Sequence, residues 1–463
     1  MRLAEVADLV GGTLHDADPG STVTGGAFLD TRSPEPGGIF AAFAGEHVDG
    51  HDYAPEAVAA GAVAVLGTRP TGVPTVVVDD VRVALHALAR TVLARRRGLS
   101  APLTVVAITG SQGKTSAKDM LAHVLADGAA TIATRGSFNN ELGLPLTVLR
   151  VDGATRYLAL EMGSRGIGHL RELCAIAPPD VSLVLNVGKA HLGEFGSRDN
   201  IALAKGELVE VLGRDGAAVL NLDDPRVAAM AERTAAQVWT FGTGAAAVVR
   251  LSNLESDELG RPAFDLTFRG ETERVALQLL GEHQAANAAA VAATALAAGL
   301  PFDRVAATLG AITSLSKWRM ELRERGDGLA VVNDAYNANP DSMRAALRTL
   351  AGIGARTGRR TVAVLGEMRE LGDSADAEHR TVGTLARELG VDQLYVVGPG
   401  ARGIAEGDPR AAYAETLDEL VEQVRNNVSG SEVVLVKASR AAGLERVAAA
   451  LLDDPTETKE AVR

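Results

Sequence analysis

The sequence predicts an α/β fold in three domains: a small N-terminal α/β domain (residues 1–99), a central parallel-sheet domain (100–314) and a Rossmann-like C-terminal domain (315–463). Three observations predict it. Short β-branched runs alternate with helical patterns along most of the chain, the order expected of parallel strands covered by helices. At 463 residues the chain exceeds what one core supports, since domains usually run to about 100–200 residues. Two stretches read as joints before fresh strand patterns, the basic, turn-forming Arg95 to Pro102 and then Ala311 to Lys317.

Taken in order, Met1 to Gly12 reads as a short amphipathic helix carrying Glu5 and Asp8. Strands are expected at Val63 to Leu66, Thr75 to Val78, Leu103 to Thr109, Tyr157 to Glu161, Val181 to Val187 and Ala217 to Leu222. From Val248 to Leu280 the alternation changes, with Gly260 and Gly270 as turn signals, which predicts antiparallel hairpins. The Ala-rich run Gln284 to Ala298 is a strong helix former. Further strands are expected at Leu329 to Asn333, Val362 to Leu365, Leu394 to Val397 and Val433 to Val436, and the charged tail after Asp453 is expected to fray. Gly398 to Gly403 spells G-x-G-x-x-G after a strand. No acidic ribose ligand follows at the right distance, so it reads as a plain turn.

Composition narrows the functions. Hydrophobic residues at 46% and charged residues at 23% suit a packed protein and exclude extended disorder. A formal charge of -13 with both signs interspersed disfavours a nucleic-acid or anionic-membrane binder, so an anionic substrate would need local basic groups and metal ions. The single cysteine, Cys174, excludes an internal disulfide and a cysteine zinc cluster, and its apolar surroundings read as packing. It fits a reducing, cytoplasmic setting. No apolar run approaches the roughly 20 residues that span a bilayer, so membrane insertion is not expected.

The strand Leu103 to Thr109 runs into Gly110-Ser111-Gln112-Gly113-Lys114-Thr115-Ser116 and then a helical pattern, Ala117 to Leu125. Glycines let backbone N–H groups approach phosphate oxygens, the helix N-terminus adds positive potential, Lys114 is placed for the β and γ phosphates and Thr115 for Mg²⁺. The spacing departs from GxxxxGK[ST], whose first glycine would fall on Ile108. The context nonetheless makes the central sheet a P-loop mononucleotide-binding sheet. No Asn-Lys pair occurs, which argues against a guanine-specific switch protein. Glu161 ends one strand and His191 follows another. Each alone is a strand-end polar residue, but together on successive strands they suggest metal ligands. Lys205, flanked by apolar residues on a helix, reads from the residues alone as a solvated lysine with its stem on the core.

These motifs together resemble the Mur ligases, over nearly the whole chain. In the first domain the resemblance lies in Asp30-Thr31-Arg32, Gly37 to Phe40 and Gly45 to His51. In the centre it lies in Thr109 to Ser116, Asn139-Asn140 with Gly143 to Thr147, Glu161-Met162-Gly163, the His191 segment, Ala204 to Glu207, and Gly281 to His283 with Asn287. The last domain adds Asn333 to Met343, then Leu365 to Met368 through Glu378 to Arg380, the segments that distinguish branches of the family.

The resemblance implies an ATP-dependent ligase that phosphorylates the terminal carboxylate of UDP-N-acetylmuramoyl-tripeptide and joins it to D-alanyl-D-alanine in cell-wall precursor synthesis. It also implies roles. Thr115 and Glu161 would share one Mg²⁺, and His191 and a carbamylated Lys205 would serve a second. Asn287 and Asp334 would contact adenosine and Arg319 the ATP phosphates, with His283, Tyr336 and Asn337 lining the same cleft. Thr31 and Arg32 would meet the nucleotide end of the uridine-linked substrate, and Asn139 and Asn140 would lie toward its reacting end. Ser439 and Arg440 would meet the dipeptide. Three positions depart from the common pattern: Thr31 stands for Ser, Trp318 where Gly is common, and Ala438 where Gly is expected. A monomer is expected. The rival readings are a sister ligase adding the third amino acid, a folylpolyglutamate synthase, and a non-catalytic nucleotide-binding scaffold.

Overall fold

The computed structural model describes residues 1–45, 48–188 and 195–452. Among these residues the strands form three sheets. The first lobe has five short strands in the order Thr13–His15, Thr75–Val77, Ala64–Gly67, Ile39–Ala41, Ala27–Phe28, parallel except at Thr13–His15. The N-terminal helix is Leu3–Val10, ended by Gly11 at φ 64, a left-handed cap that a β-carbon would strain.

The central sheet runs Glu271–Ala276, Pro262–Phe268, Val249–Ser256, Gln237–Gly242, Ala217–Asn221, Val181–Val184, Thr104–Thr109, Tyr157–Glu161, Thr131–Ala133. The expected hairpins are present, antiparallel through the turns at Gly260 and Gly270, and Val249–Ser256 continues the parallel sheet beside Gln237–Gly242. Helices Lys114–Gly128, His283–Ala297 and Phe302–Ala311 bury one face of the sheet. Gly143–Val148, His169–Ile176 and Arg198–Glu210 bury the other. The alanines of His283–Ala297 let it lie close against the strands, with Ala288 to Ala293 fully buried.

The last lobe orders its strands Glu321–Glu324, Ala330–Asp334, Val433–Lys437, Thr361–Leu365, Gln393–Val397, Ala412–Ala414, parallel except at Glu321–Glu324. Helices cover both of its faces, giving two apolar layers. Among the described residues no helix is long and apolar enough to cross a membrane.

Four expectations need correction. Arg95 to Arg97 are not turn but the last residues of helix Val81–Arg97. Arg96 is buried there and donates to the carbonyls of Ala101, Pro102 and Thr155, so the basic residues bracket the following chain from a helix end. The strand expected through Val187 stops at Val184, because the next residues leave the ladder: Asn186 bonds the Gly110–Gly113 loop, and Val187 N–H donates to Asp224 at 2.7 Å. Lys205 is not solvated but buried on helix Arg198–Glu210. Short strands such as Ala27–Phe28, Ile39–Ala41, Thr131–Ala133 and Gln237–Gly242 went unanticipated, the first three being too short for alternation to register. The tail after Asp453 lies outside the described residues, as do two positions of the Gly45 to His51 segment.

Candidate active site

In the central sheet, Thr104–Thr109 lies between Val181–Val184 and Tyr157–Glu161, and the crevice beyond the C-terminal ends of these strands is where an open α/β sheet receives ligands. The loop after Thr109 turns into helix Lys114–Gly128 through Gly113 at φ +80. Glycine is required there twice over, since a β-carbon would also stand 2.7 Å from Asn287 Oδ1. Asn186 fixes the loop: its Oδ1 accepts from Ser111 N–H and Gln112 N–H, both at 3.0 Å, and its Nδ2 donates to the Gln112 carbonyl at 3.2 Å. Lys114 Nζ donates to the Gly110 carbonyl at 2.7 Å.

This loop floors a cleft of about 630 Å³ between the central and last lobes, within the size range of small-molecule sites. Ser111 to Ser116, Asn139, Asn140, Glu161, His283 and Asn287 line it from the central lobe, and Arg319, Asp334, Tyr336, Asn337 and Arg440 from the last. The structure therefore brings together most of the residues singled out by sequence. Gly110 and Ser439 lie just off the lining, and Thr31 and Arg32 sit apart on the first lobe, where Thr31 donates to Glu56 at 2.8 Å and Arg32 pairs with Asp30. His191 lies outside the described residues.

Side chains from the two lobes meet across the cleft. Arg319 Nη2 donates to Thr115 Oγ1 at 3.1 Å, its guanidinium stacks 4.2 Å over the Tyr336 ring, and the Tyr336 hydroxyl lies 2.6 Å from Ser137 Oγ. Trp318 and Met320, flanking Arg319, both take positive φ, at 58° and 50°. Trp318 thus adopts the conformation a glycine would, and its ring stacks 4.1 Å from the Arg440 guanidinium. The methyl of Ala438 fits because its neighbour is Gly366, where a β-carbon would stand 2.9 Å away.

Buried charge is balanced unevenly. Lys437 Nζ donates to Asp334 Oδ2 at 2.6 Å and to the Asn337 carbonyl at 2.8 Å, while Asp334 Oδ1 accepts from Met320 N–H. Burial pulls Lys437 below the ordinary lysine range and Asp334 opposes the shift. Lys114 keeps some access to the cleft, yet the protein packed around it lowers its pKa, with Glu161 acting against that. Burial drives Lys205 well below the ordinary range, and the charge of Lys114 adds to the effect. His283 opens onto the cleft but is held below its usual value by the surrounding protein.

Four lining residues carry buried polar atoms with no partner among the described residues: Ser111 Oγ, Glu161 Oε2, Ser164 Oγ and Arg319 Nε. Buried polar atoms ordinarily find partners, so this cluster marks where a polar ligand would bind. Glu161 Oε1 is already oriented, accepting from Asn139 Nδ2 at 2.7 Å. Among the described residues no three His, Cys, Asp or Glu side chains cluster as a metal site. The donor set at the cleft floor is instead the Thr115 hydroxyl and a Glu161 oxygen, hard oxygen donors of the kind that Mg²⁺ takes. Sequence reasoning missed Asn186, Ser137 and Glu370, polar residues outside any glycine-rich run.

A Mur ligase middle-domain model matches residues 108–295, a Mur ligase glutamate-ligase-domain model 318–440 and a Mur ligase family catalytic-domain model 26–95. The chain belongs to the Mur ligase family. It is 44% identical to the UDP-N-acetylmuramoyl-tripeptide–D-alanyl-D-alanine ligase of Mycobacterium tuberculosis over 98% of both chains. Among solved structures it resembles MurF from Acinetobacter baumannii (31% identity, TM-score 0.85, 98% of this chain and 99% of that one). It also resembles the MurF ligase of Thermotoga maritima in complex with ADP (29% identity, TM-score 0.79, 95% and 99%).

Proposed function

We infer that the protein is the ATP-dependent ligase that adds D-alanyl-D-alanine to UDP-N-acetylmuramoyl-tripeptide, giving the pentapeptide precursor of peptidoglycan, ADP and phosphate. The observation that carries the reading is the two-lobed cleft, floored by the Lys114 loop and faced by Arg319, in a chain 44% identical to an enzyme of that name over nearly its full length.

The chemistry brings two anions together, so the site must supply positive charge and alignment. Backbone N–H groups of the loop held by Asn186 cradle the ATP phosphates, and Lys114 and Arg319 flank the transferred γ-phosphoryl group. Asn287, His283 and Asp334 with Tyr336 and Asn337 take the adenosine end. Asn139 and Asn140 face the reacting end of the uridine-linked substrate, with Thr31 and Arg32 toward its nucleotide. A tripeptide carboxylate oxygen attacks the γ phosphorus, ADP leaves, and the acyl phosphate forms. The dipeptide amine then attacks the acyl carbon, and the C–O bond to phosphate breaks. Arg319 reaches the loop from the other lobe, so closure of the lobes completes the site and keeps water from the acyl phosphate.

Thr115, Glu161, His191 and a carbamate of Lys205 would hold two magnesium ions, which supply positive charge to the phosphates. The state of Lys205 favours that modification: only a neutral amine adds carbon dioxide, and burial beside Lys114 favours the neutral form. Domains divided at 99/100 and 314/315, a monomeric state and a cytoplasmic location complete the proposal.

The test is phosphate release from ATP. It should require both UDP-N-acetylmuramoyl-tripeptide and D-alanyl-D-alanine, and Lys114→Ala should abolish it. Release that ignores the dipeptide, or near-normal turnover by the variant, rejects the reading.

A further inference from the structure

The loop between strand Thr131–Ala133 and helix Gly143–Val148 touches all three lobes in the short run Arg135 to Asn140. Arg135 Nη1 donates to Glu35 of the first lobe at 2.5 Å, Ser137 Oγ lies 2.6 Å from the Tyr336 hydroxyl of the last, and Asn139 Nδ2 donates to Glu161 on the central sheet. The turn is tightly made. Asn139 N–H donates to the Ser137 carbonyl at 2.7 Å, Gly163 N–H to the Asn139 carbonyl at 2.9 Å, and Asn140 Oδ1 accepts from Gly143 N–H at 2.9 Å. A β-carbon on Gly143 would stand 2.5 Å from the Phe138 α-carbon, so the turn sits directly on the start of that helix. Ser137 is thus presented to the cleft by a held backbone while its side chain is exposed and packs in no core, and the mechanism above gives it no role.

The Tyr336 ring carries the Arg319 guanidinium at 4.2 Å, a cation–π contact that strengthens as water leaves the cleft. Arg319 also donates from Nη2 to Thr115 Oγ1 at 3.1 Å, and its Nε is buried without a partner among the described residues. Turning the guanidinium from Thr115 to a phosphoryl group breaks the Thr115 contact and keeps the ring. The ring is therefore the platform on which Arg319 works, and two bonds hold that tyrosine: its backbone N–H on the Trp318 carbonyl at 3.3 Å and its hydroxyl on Ser137. The first comes from its own lobe. The second comes from the turn that carries Asn139 and Asn140.

Resting on the ligase reading, we propose that Ser137 is a positioning residue for Arg319, acting through the Tyr336 hydroxyl, and that through this contact the uridine-linked substrate and ATP strengthen each other's binding. The substrate meets Thr31 and Arg32 on the loop that carries Glu35, and Asn139 and Asn140 on the turn that carries Ser137, the same two segments that the Arg135 ion pair ties together. Occupying both orders the turn, the ordered turn holds the Tyr336 ring, and the ring holds Arg319 toward the phosphates through contiguous contacts. Such coupling is reciprocal, so each ligand's affinity rises by the same factor when the other is bound. Arg319 is then set where an acceptor carboxylate is already in place, which spares ATP from water.

Calorimetry with a non-hydrolysable ATP analogue, alone and with saturating UDP-N-acetylmuramoyl-tripeptide, tests this on the parent, Ser137→Ala, Tyr336→Phe and the double variant. Tyr336→Phe keeps the ring and removes the hydroxyl. The tripeptide substrate should tighten the analogue about fivefold or more in the parent, roughly the worth of one hydrogen bond, and less than twofold in every variant. In turnover each single variant should lose more than threefold in kcat with KM for D-alanyl-D-alanine within twofold. The double variant should be within twofold of the slower single, because both changes delete one contact. Weaker coupling in the parent, coupling of twofold or more in any variant, a kcat loss of threefold or less, a larger change in dipeptide KM, or additive losses in the double variant overturn the proposal. A parent that binds the analogue but not the tripeptide substrate removes the ligase reading itself, and this proposal with it.

Discussion

Cys174 shows how little a reactive side chain's identity says without its surroundings. It lies buried on helix His169–Ile176 with its sulfur 3.8 Å from that of Met162, and burial pushes the thiol up to about 12, with the charge of Glu207 adding to the shift. Because the folded value is raised above the ordinary 9.0, the associated stability is complete below pH 9 and is lost as pH rises toward 12. A thiol reagent at pH 8 should therefore leave the folded protein unmodified and titrate one equivalent after denaturation. Rapid labelling of the native protein would contradict this. The apolar neighbours of Cys174 made this legible in the sequence, as the contiguous Gly110 to Ser116 run made the strand-to-helix turn ahead of Lys114–Gly128 legible. Lys205 was not legible: apolar neighbours suit both a snorkelling and a buried lysine, and only the packing of Arg198–Glu210 on the sheet separates them. Asn186 and Glu370 were hidden for a related reason, since one bonds the loop from a neighbouring strand end and the other lines the cleft from the opposite lobe.

At the scale of elements, periodicity located long strands and helices but not the close approaches between them. Helix Ala375–Glu388 crosses Arg402–Gly407 at a pair of glycines. A β-carbon on Gly383 would stand 1.9 Å from the Ile404 carbonyl oxygen, and one on Gly407 2.2 Å from that of Arg380. The atoms in the way are backbone, so no side-chain rotation relieves the overlap. Gly383→Ala should lower the stability of the last lobe by about 1–3 kcal/mol, read from the denaturant midpoint, although alanine is the better helix former. An unchanged midpoint would mean that the two helices do not pack as described. The same contact explains part of the G-x-G-x-x-G string, because a β-carbon on Gly403 would meet His379 at 3.0 Å. Those glycines serve a turn and a helix contact, a purpose that spacing alone does not separate from nucleotide binding. Helix Val81–Arg97 hid a different feature. Its first half packs in the core of the first lobe and its second, through Ala89 and Leu93, in that of the central lobe, so a sharp composition change at Arg95 marks a helix end rather than the start of a linker.

For the whole molecule, the coupling between lobes follows from which surfaces the cleft uses. The first lobe is fastened to the centre by that shared helix, by Leu146 in its core and by the ion pair of Arg135 with Glu35. The last lobe meets the centre through Leu280, Arg319 on Thr115, Tyr336 on Ser137, and the Ser316 N–H on Asp119 at 3.0 Å. A nucleotide bound between the central and last lobes adds its binding free energy only to the state in which both surfaces are presented together. Binding of a non-hydrolysable ATP analogue should then slow amide exchange in two regions far apart in sequence, around Gly110 to Ser116 and around Asp334 to Asn339. The first-lobe segment around Thr31 and Arg32, which lies outside the cleft, should change little until the uridine-linked substrate is added. Protection confined to the central lobe would show that Arg319 and Asp334 do not share in nucleotide binding, and would leave lobe closure to the second substrate alone.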